Sequence, residues 1–267
     1  MFLTRWVTHF CAPIFILLAG ISAWLYGSRG RSTGELSRFL LTRGIWIVFI
    51  EFSLVRFGWN LTLDLHVFIA QVMWAISASM IVLAGLVYLP RGAIGAIGVV
   101  MIVGHNMLDG IHAREFGSAG WLWNVLHEPT VFDLGGDSRL LLIYPLIPWP
   151  GVMALGYAMG PLFRRDAETR RRVLLWTGLA VTAGFVLLRW TNVYGDPEPW
   201  APQASALGTL LSFLNCEKYP PSLAYLTKTL GPALVMPSLA EGATGRLAGF
   251  SSPMAACRSC FTLCTCR

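Results

Sequence analysis

Apolar residues recur along this chain in blocks of about twenty, the length that crosses a bilayer's hydrocarbon core, and charges collect in the gaps between them. The blocks run over about Thr8 to Gly27, Gly44 to Asn60, Val67 to Leu89, Gly92 to Leu108, Leu140 to Phe163, Val173 to Trp190 and Leu223 to Ala240. The pattern predicts an all-α, polytopic transmembrane helix bundle of about seven spans over residues 1–240, with an atypical tail over 241–267. A very short turn at Pro90-Arg91 makes the third and fourth blocks a helical hairpin, and Pro145, Pro148 and Pro150 interrupt the fifth.

The gaps alternate in character. Arg29, Arg31, Arg38 and Arg43 follow the first block and Arg164, Arg165, Arg170, Arg171 and Arg172 follow the fifth, whereas 61–66, 109–139 and 191–222 hold most of the remaining acidic residues, with Trp121 and Trp123. The excess of arginine in alternate loops predicts that these face the cytoplasm and the others the outside. This orientation puts the N-terminus outside although Arg5 precedes an apolar block, so a helix preceding the chain is expected. A cleaved signal peptide over Phe2 to Gly27 fits less well, since Pro13 stands early in the run and the block is longer than a signal core.

Composition sharpens the class. Hydrophobic residues are 55% of the chain and charged ones 13%, and the eleven tryptophans suit membrane interfaces. The net charge of +6 lies in loops rather than along one face, which argues against a nucleic-acid partner and for membrane lipid. Cys11 and Cys216 stand apart, and Cys257, Cys260, Cys264 and Cys266 crowd the end, a distribution that gives no disulfide framework. The spacing also lacks the two separated knuckles of a structural zinc site. The tail reads as a disordered segment or a frameshifted end replacing a final helix.

Ionisable side chains inside spans cost about 2.5–3.5 kcal/mol each, so each needs a partner, a cavity or a helix end. Glu51 and Arg56 stand about 140° apart on a helix, so each faces a different neighbour. Glu51 is either a proton acceptor in a cavity or a structural ion-pair partner. The fourth block ends in GHNMLDGIH, where a continued helix puts His105, Asp109 and His112 on one face. A carboxylate one turn from an imidazole fixes its tautomer and raises its basicity, which makes His105 and Asp109 candidates for general-base chemistry. The alternative is a polar helix end at the interface, with Gly110 stopping the helix before His112 aligns. The same face resembles a metal site, with His127 or Glu128 as third ligand, but not at a recognised spacing. His9 and His66 lie at outer helix starts, and His9 becomes a catalytic candidate if it meets His105. No motif for nucleotide hydrolysis, a serine nucleophile or a dinucleotide fold is present.

Four stretches, TRWVTHFCAPIFILLAG from Thr4, GHNMLDGI from Gly104, YPLIPWPGVMALGYAMG from Tyr144 and NCEKYPPSLAYLTKTLGPAL from Asn215, resemble the heparan-alpha-glucosaminide N-acetyltransferase catalytic-domain family, especially its bacterial branch. The resemblance implies an integral protein of the bacterial inner (plasma) membrane that takes acetyl from acetyl-CoA, as co-substrate, and delivers it across the membrane to a sugar amine or similar small acceptor. On that reading His105, Asp109 and His9 are catalytic candidates, Asn106, Glu51, Arg56 and His112 contact substrate, and no metal is required. Two departures accompany it. The family begins with another helix and an outer segment carrying its proposed catalytic histidine, and it continues past Glu241 in further apolar helices. The competing expectations are a small-molecule transporter, with Glu51, Arg56 and the proline-broken fifth block lining a pathway, and an inactive truncated remnant.

Overall fold

The structure, a computed structural model, describes residues 2–55, 57 and 66–244. Within these the main helices are α1 (Phe2–Gly27), α2 (Thr33–Ile50), α3 (Val72–Leu86), α4 (Arg91–Gly104), α5 (Gly120–Leu126), α6 (Trp149–Met159), α7 (Ala167–Thr191), α8 (Ala206–Leu214) and α9 (Leu223–Thr244). Among the described residues three segments are long and apolar enough to cross a membrane: Thr8–Gly27, Arg91–Leu108 and Ala167–Thr191. The helices of the remaining blocks, as far as they are described, are shorter or more charged. α6 has 11 residues, α2 carries Glu35, Arg38 and Arg43, and α9 carries Lys228 and Glu241. Arg56 and the cysteines from Cys257 to Cys266 lie outside the described residues.

The helix pairs α1/α6, α2/α3, α4/α6 and α7/α9 make up most of the packing. Glycines set their separation. A Cβ on Gly20 would stand 2.0 Å from the Met153 carbonyl and one on Gly156 2.1 Å from that of Leu17, so α1 and α6 touch backbone to backbone. Gly98 and Gly151 do the same for α4 and α6, each meeting the other's carbonyl. Where lipid removes the hydrophobic drive between helices, such close approach is what gives dispersion contacts their strength. Ile16, Ile94, Trp149, Val152, Met153, Leu174 and Tyr225 fill the centre, while Trp46, Phe49, Val100, Trp176, Leu187 and Trp190 cover the outside. An apolar exterior over a packed apolar interior suits a lipid solvent better than water.

Chain direction sorts the charges. The turns holding Arg29 and Arg31, Pro90-Arg91 and Arg164–Arg165 all fall at one end of the bundle, where Arg170 also pairs with Glu241 at 2.8 Å. His9, Glu51, His105, Asp109, His112 and Asp196 fall at the other. The expected segregation of basic and acidic loops is therefore present.

Three expectations need correction. First, the described residues are mostly helical, as expected, but not exclusively so. Val67–Ala70 (β1), Thr130–Gly135 (β2) and Ser138–Leu142 (β3) form a sheet in the order β1-β3-β2 at the acidic end. β1 pairs parallel to β3, with Val67 opposite Arg139 and Ala70 opposite Leu142, and β2 and β3 form a hairpin closed through Gly135 and Gly136 at positive φ. The starts of the third and fifth apolar blocks are these strands, which periodicity alone cannot separate from the helix that follows. Second, α2 starts at Thr33 rather than near Gly44, because Ser32 and Glu35 form a reciprocal capping box; Arg38 and Arg43 are thus on a helix. Third, α4 does not carry His105, Asp109 and His112 on one face, since it gives way at Gly104 to a 3₁₀ turn, His105–Leu108.

Candidate functional site

The tightening at His105 follows from where the polar groups find partners. A 3₁₀ turn has three residues per turn, so Asp109 leaves the face that His105 occupies. The His105 ring is buried, with Nδ1 2.8 Å from the Ile102 carbonyl and Nε2 2.7 Å from that of Pro221. Both neighbours are acceptors only, so neither nitrogen has a lone pair directed at substrate, and the ring ties the end of α4 to the start of α9. Asn106 makes the second tie: its Oδ1 accepts from Leu223 N–H at 2.9 Å, satisfying one of the open donors in the first turn of α9, and its Nδ2 donates to Asp109 Oδ2 at 2.8 Å.

Asp109 bonds His127 instead of His105. Its Oδ1 lies 3.0 Å from His127 Nε2, and the His127 ring is 2% exposed. Burial raises the Asp109 pKa, but the bonds from His127 and Asn106 outweigh it, and the carboxyl is held below its ordinary value. That pair fixes a neutral His127 as the Nε2–H tautomer, leaving Nδ1 as the basic atom. Nδ1 is buried and without a hydrogen-bond partner among the described residues. His127 reaches this place because it ends α5, whose Trp123 donates through Nε1 to the Ile111 carbonyl at 2.8 Å and packs against the His127 ring. Gly120 lets α5 start there, since a Cβ would come within 2.4 Å of the Ala113 carbonyl.

His112 turns away to Glu128. Its Nδ1 is 2.7 Å from Glu128 Oε1, while Oε2 accepts from Ala113 N–H at 2.9 Å. These contacts hold the Glu128 carboxyl below its usual range against the opposing effect of its partial burial. Asp109, Asn124, His127, Glu128, Thr130, Pro197 and Pro220 then enclose a cavity of about 480 Å³ that opens at the acidic end. Its volume falls in the range of about 300–1,000 Å³ that takes a small molecule.

The other candidates are elsewhere. Glu51 is buried in a π-helical turn and its Oε1 accepts from Gln71 N–H at 2.8 Å, so it caps the start of α3. His9 lies against Tyr225 and 3.5 Å from Lys228 Nζ, and Tyr225 donates its hydroxyl to the His9 carbonyl at 2.7 Å. Among the described residues no cluster of three or more His, Cys, Asp and Glu side chains is arranged to hold a metal.

Sequence reasoning named His127 only as a possible metal ligand and passed over Arg189 altogether. Buried at 2% exposure, Arg189 donates to the carbonyls of Glu198, Ser212, Phe213 and Asn215 and stands 3.6 Å from Asp196 Oδ2. Asp196 accepts from Ser222 Oγ at 3.0 Å and from Glu217 N–H at 3.2 Å. A polar chain therefore runs from Arg189 through the start of α9 and Asn106 to Asp109 and His127. Two arginine-rich signals marked loops, but a single arginine near the end of an apolar block carries no local signal of the carbonyls it meets.

Fold and site together define a helical bundle with segments fit to cross a membrane and an imidazole–carboxylate centre at the end away from its basic turns. This chain belongs to the heparan-alpha-glucosaminide N-acetyltransferase catalytic family, which matches residues 1–191. The match takes in His105, Asp109, His127 and Arg189 and stops short of α9 and of the fourth stretch quoted above. No curated protein and no solved structure matches the chain. Membership implies an acetyltransferase-type function in a membrane.

Proposed function

We propose that this chain is an integral protein of a bacterial inner membrane, crossing it with about seven apolar blocks, and that it moves an acetyl group from acetyl-CoA to the amine of a sugar or similar acceptor. The basic end faces the cytoplasmic donor and the cavity beside His127 takes the acceptor. The observation that carries this reading is the Asp109–His127 pair on the wall of that cavity. In the reaction the acceptor nitrogen attacks the thioester carbonyl, a C–N bond forms and the C–S bond breaks. The proton shed by nitrogen passes to the Asp109–His127 pair, which meets the cavity through the part-exposed Asp109, and then to the departing thiolate. Asp109 holds the imidazole and stabilises its charged form, the usual division of labour in such a pair.

His105 and Asn106 act as positioning residues, one on Pro221 and one on Asp109, and His112 holds Glu128 at the cavity's rim. The test is acetyl-CoA consumption by the detergent-purified chain with and without glucosamine, the acetylated product being weighed by mass spectrometry. His127→Gln is expected to lower turnover by about 10²–10⁴-fold, the usual contribution of general base catalysis. Consumption that ignores the acceptor, or full turnover in His127→Gln, refutes the assignment. Sugar flux into liposomes without CoA consumption favours a transporter instead.

A further inference from the structure

A second cavity, of about 510 Å³, has no part in the chemistry above. It is a groove lined chiefly by four helices, with Val99 and Val103 from α4, Leu155 from α6, Thr177 and Val181 from α7, and Leu226 from α9. It runs from Arg91 at the basic end to Val103 and Leu223 beneath the candidate site, 12 residues of α4 by number, or about 18 Å at about 1.5 Å per residue.

We propose that this groove holds one acyl chain of an anionic phospholipid, with the lipid phosphate at Arg91. The proposal rests on the membrane reading above. Its walls are apolar apart from Arg91 and two threonines, and the Thr227 hydroxyl is already bonded to the Leu223 carbonyl at 2.7 Å. Water needs two or more polar partners to occupy a cavity, and such walls do not provide them. The amide-bearing arm of CoA finds no matching donors and acceptors there either, whereas a hydrocarbon chain needs none. Charge complementarity sets the polarity of the guest. Arg91 is exposed, and no ion pair joins it to a carboxylate among the described residues. It stands at the end that holds Arg164 and Arg165, where a phosphate arriving from the adjoining leaflet meets cationic partners. A chain seated this way packs against Leu223 and Leu226, so it supports the same first turn of α9 that Asn106 holds through Leu223.

The experiment is native mass spectrometry of the full chain purified from bacterial membranes in mild detergent, then titrated with phosphatidylglycerol or phosphatidylcholine. The wild-type chain is expected to keep one phosphatidylglycerol, and Val181→Trp or Thr177→Trp, each filling the groove from α7, to lose it with an unchanged circular dichroism spectrum. Thr177 is exposed, so its substitution folds even if that of Val181 does not. Arg91→Gln is expected to lower the preference for phosphatidylglycerol over phosphatidylcholine by about fivefold, the worth of one basic residue near a bilayer surface. A wild-type chain that retains no phospholipid, Trp variants that retain as much as wild type, or an unchanged preference in Arg91→Gln overturns the proposal and leaves the membrane reading standing. Recovery of the chain in aqueous buffer without detergent overturns both.

Discussion

Replacing Arg189 tests whether the acidic end is built as one polar network. Its guanidinium has five N–H donors; they serve four backbone carbonyls at 2.5–3.1 Å and the Asp196 carboxylate at 3.6 Å. Lysine brings three donors, so Arg189→Lys strands at least one of the four carbonyls and leaves either a second carbonyl unbonded or Asp196 without its cationic neighbour. Hydrogen bonds to a charged group are worth about 1.5–3 kcal/mol each, and partial rehydration of the looser loop returns some of that, so the net loss is about 3 kcal/mol. Arg189→Met removes every guanidinium donor and leaves Asp196, with a side chain 5% exposed, without its cationic neighbour. Breaking a buried pair from one side costs about 3–5 kcal/mol.

A chain of this size shifts its melting temperature by about 2–4 °C per kcal/mol, so the lysine variant should melt about 6–12 °C below wild type and the methionine variant lower still. Thermal unfolding in detergent, followed by tryptophan fluorescence, measures it, and Trp200 reports locally because its Nε1 donates to the Arg189 carbonyl at 2.6 Å. At temperatures well below either transition, turnover should also fall, since Asp196 holds Ser222 and Glu217 at the approach to α9 and Asn106 links α9 to Asp109. A methionine variant that melts within about 2 °C of wild type, a stability change under about 1 kcal/mol, refutes the network.

The remaining predictions concern the pair at the site and the helix contacts. Asp109→Asn should lower turnover while leaving the cavity's shape intact, read as kcat at constant KM. The same variant should change the acid limb of stability. The native Asp109 pKa lies below its ordinary 3.8, so its stabilisation is complete above that value and is lost as pH falls through the native one. Melting temperatures taken downward from about pH 5 should therefore fall less steeply for Asp109→Asn than for wild type, and equal slopes would sink the linkage. Gly156→Ala should destabilise by about 1–3 kcal/mol, the usual toll of overpacking, because its new methyl would stand 2.1 Å from the Leu17 carbonyl and must force α1 from α6. Gly34→Ala, with nothing within 4 Å of its Cβ, is the control and should be neutral or stabilising in the same melt.

What the sequence yields about this protein is set by the range of each signal. Local signals held: among the described residues each apolar block is helical for most of its length, Pro90-Arg91 became the α3–α4 turn, and the loops rich in arginine came to one end because consecutive helices reverse direction. Signals that assumed a continuing helix did not hold past Gly104. GHNMLDGIH reads as a helical face, yet His105 is drawn to a carbonyl 116 positions later and Asp109 to a histidine 18 positions later. Neither partner is visible in a local period, and each competes with the α-helical register strongly enough to replace it. The sheet was hidden for the related reason that Val67–Ala70 and Leu140–Leu142 adjoin apolar helices, and only their pairing with one another distinguishes them from a helix start. His127, which sequence reasoning raised only as a metal ligand, and Arg189, which it passed over, are each near the end of a helix and nearly without exposed surface. A polar side chain that is hidden so completely is held by several partners at once, and those partners come from segments that only the fold brings together.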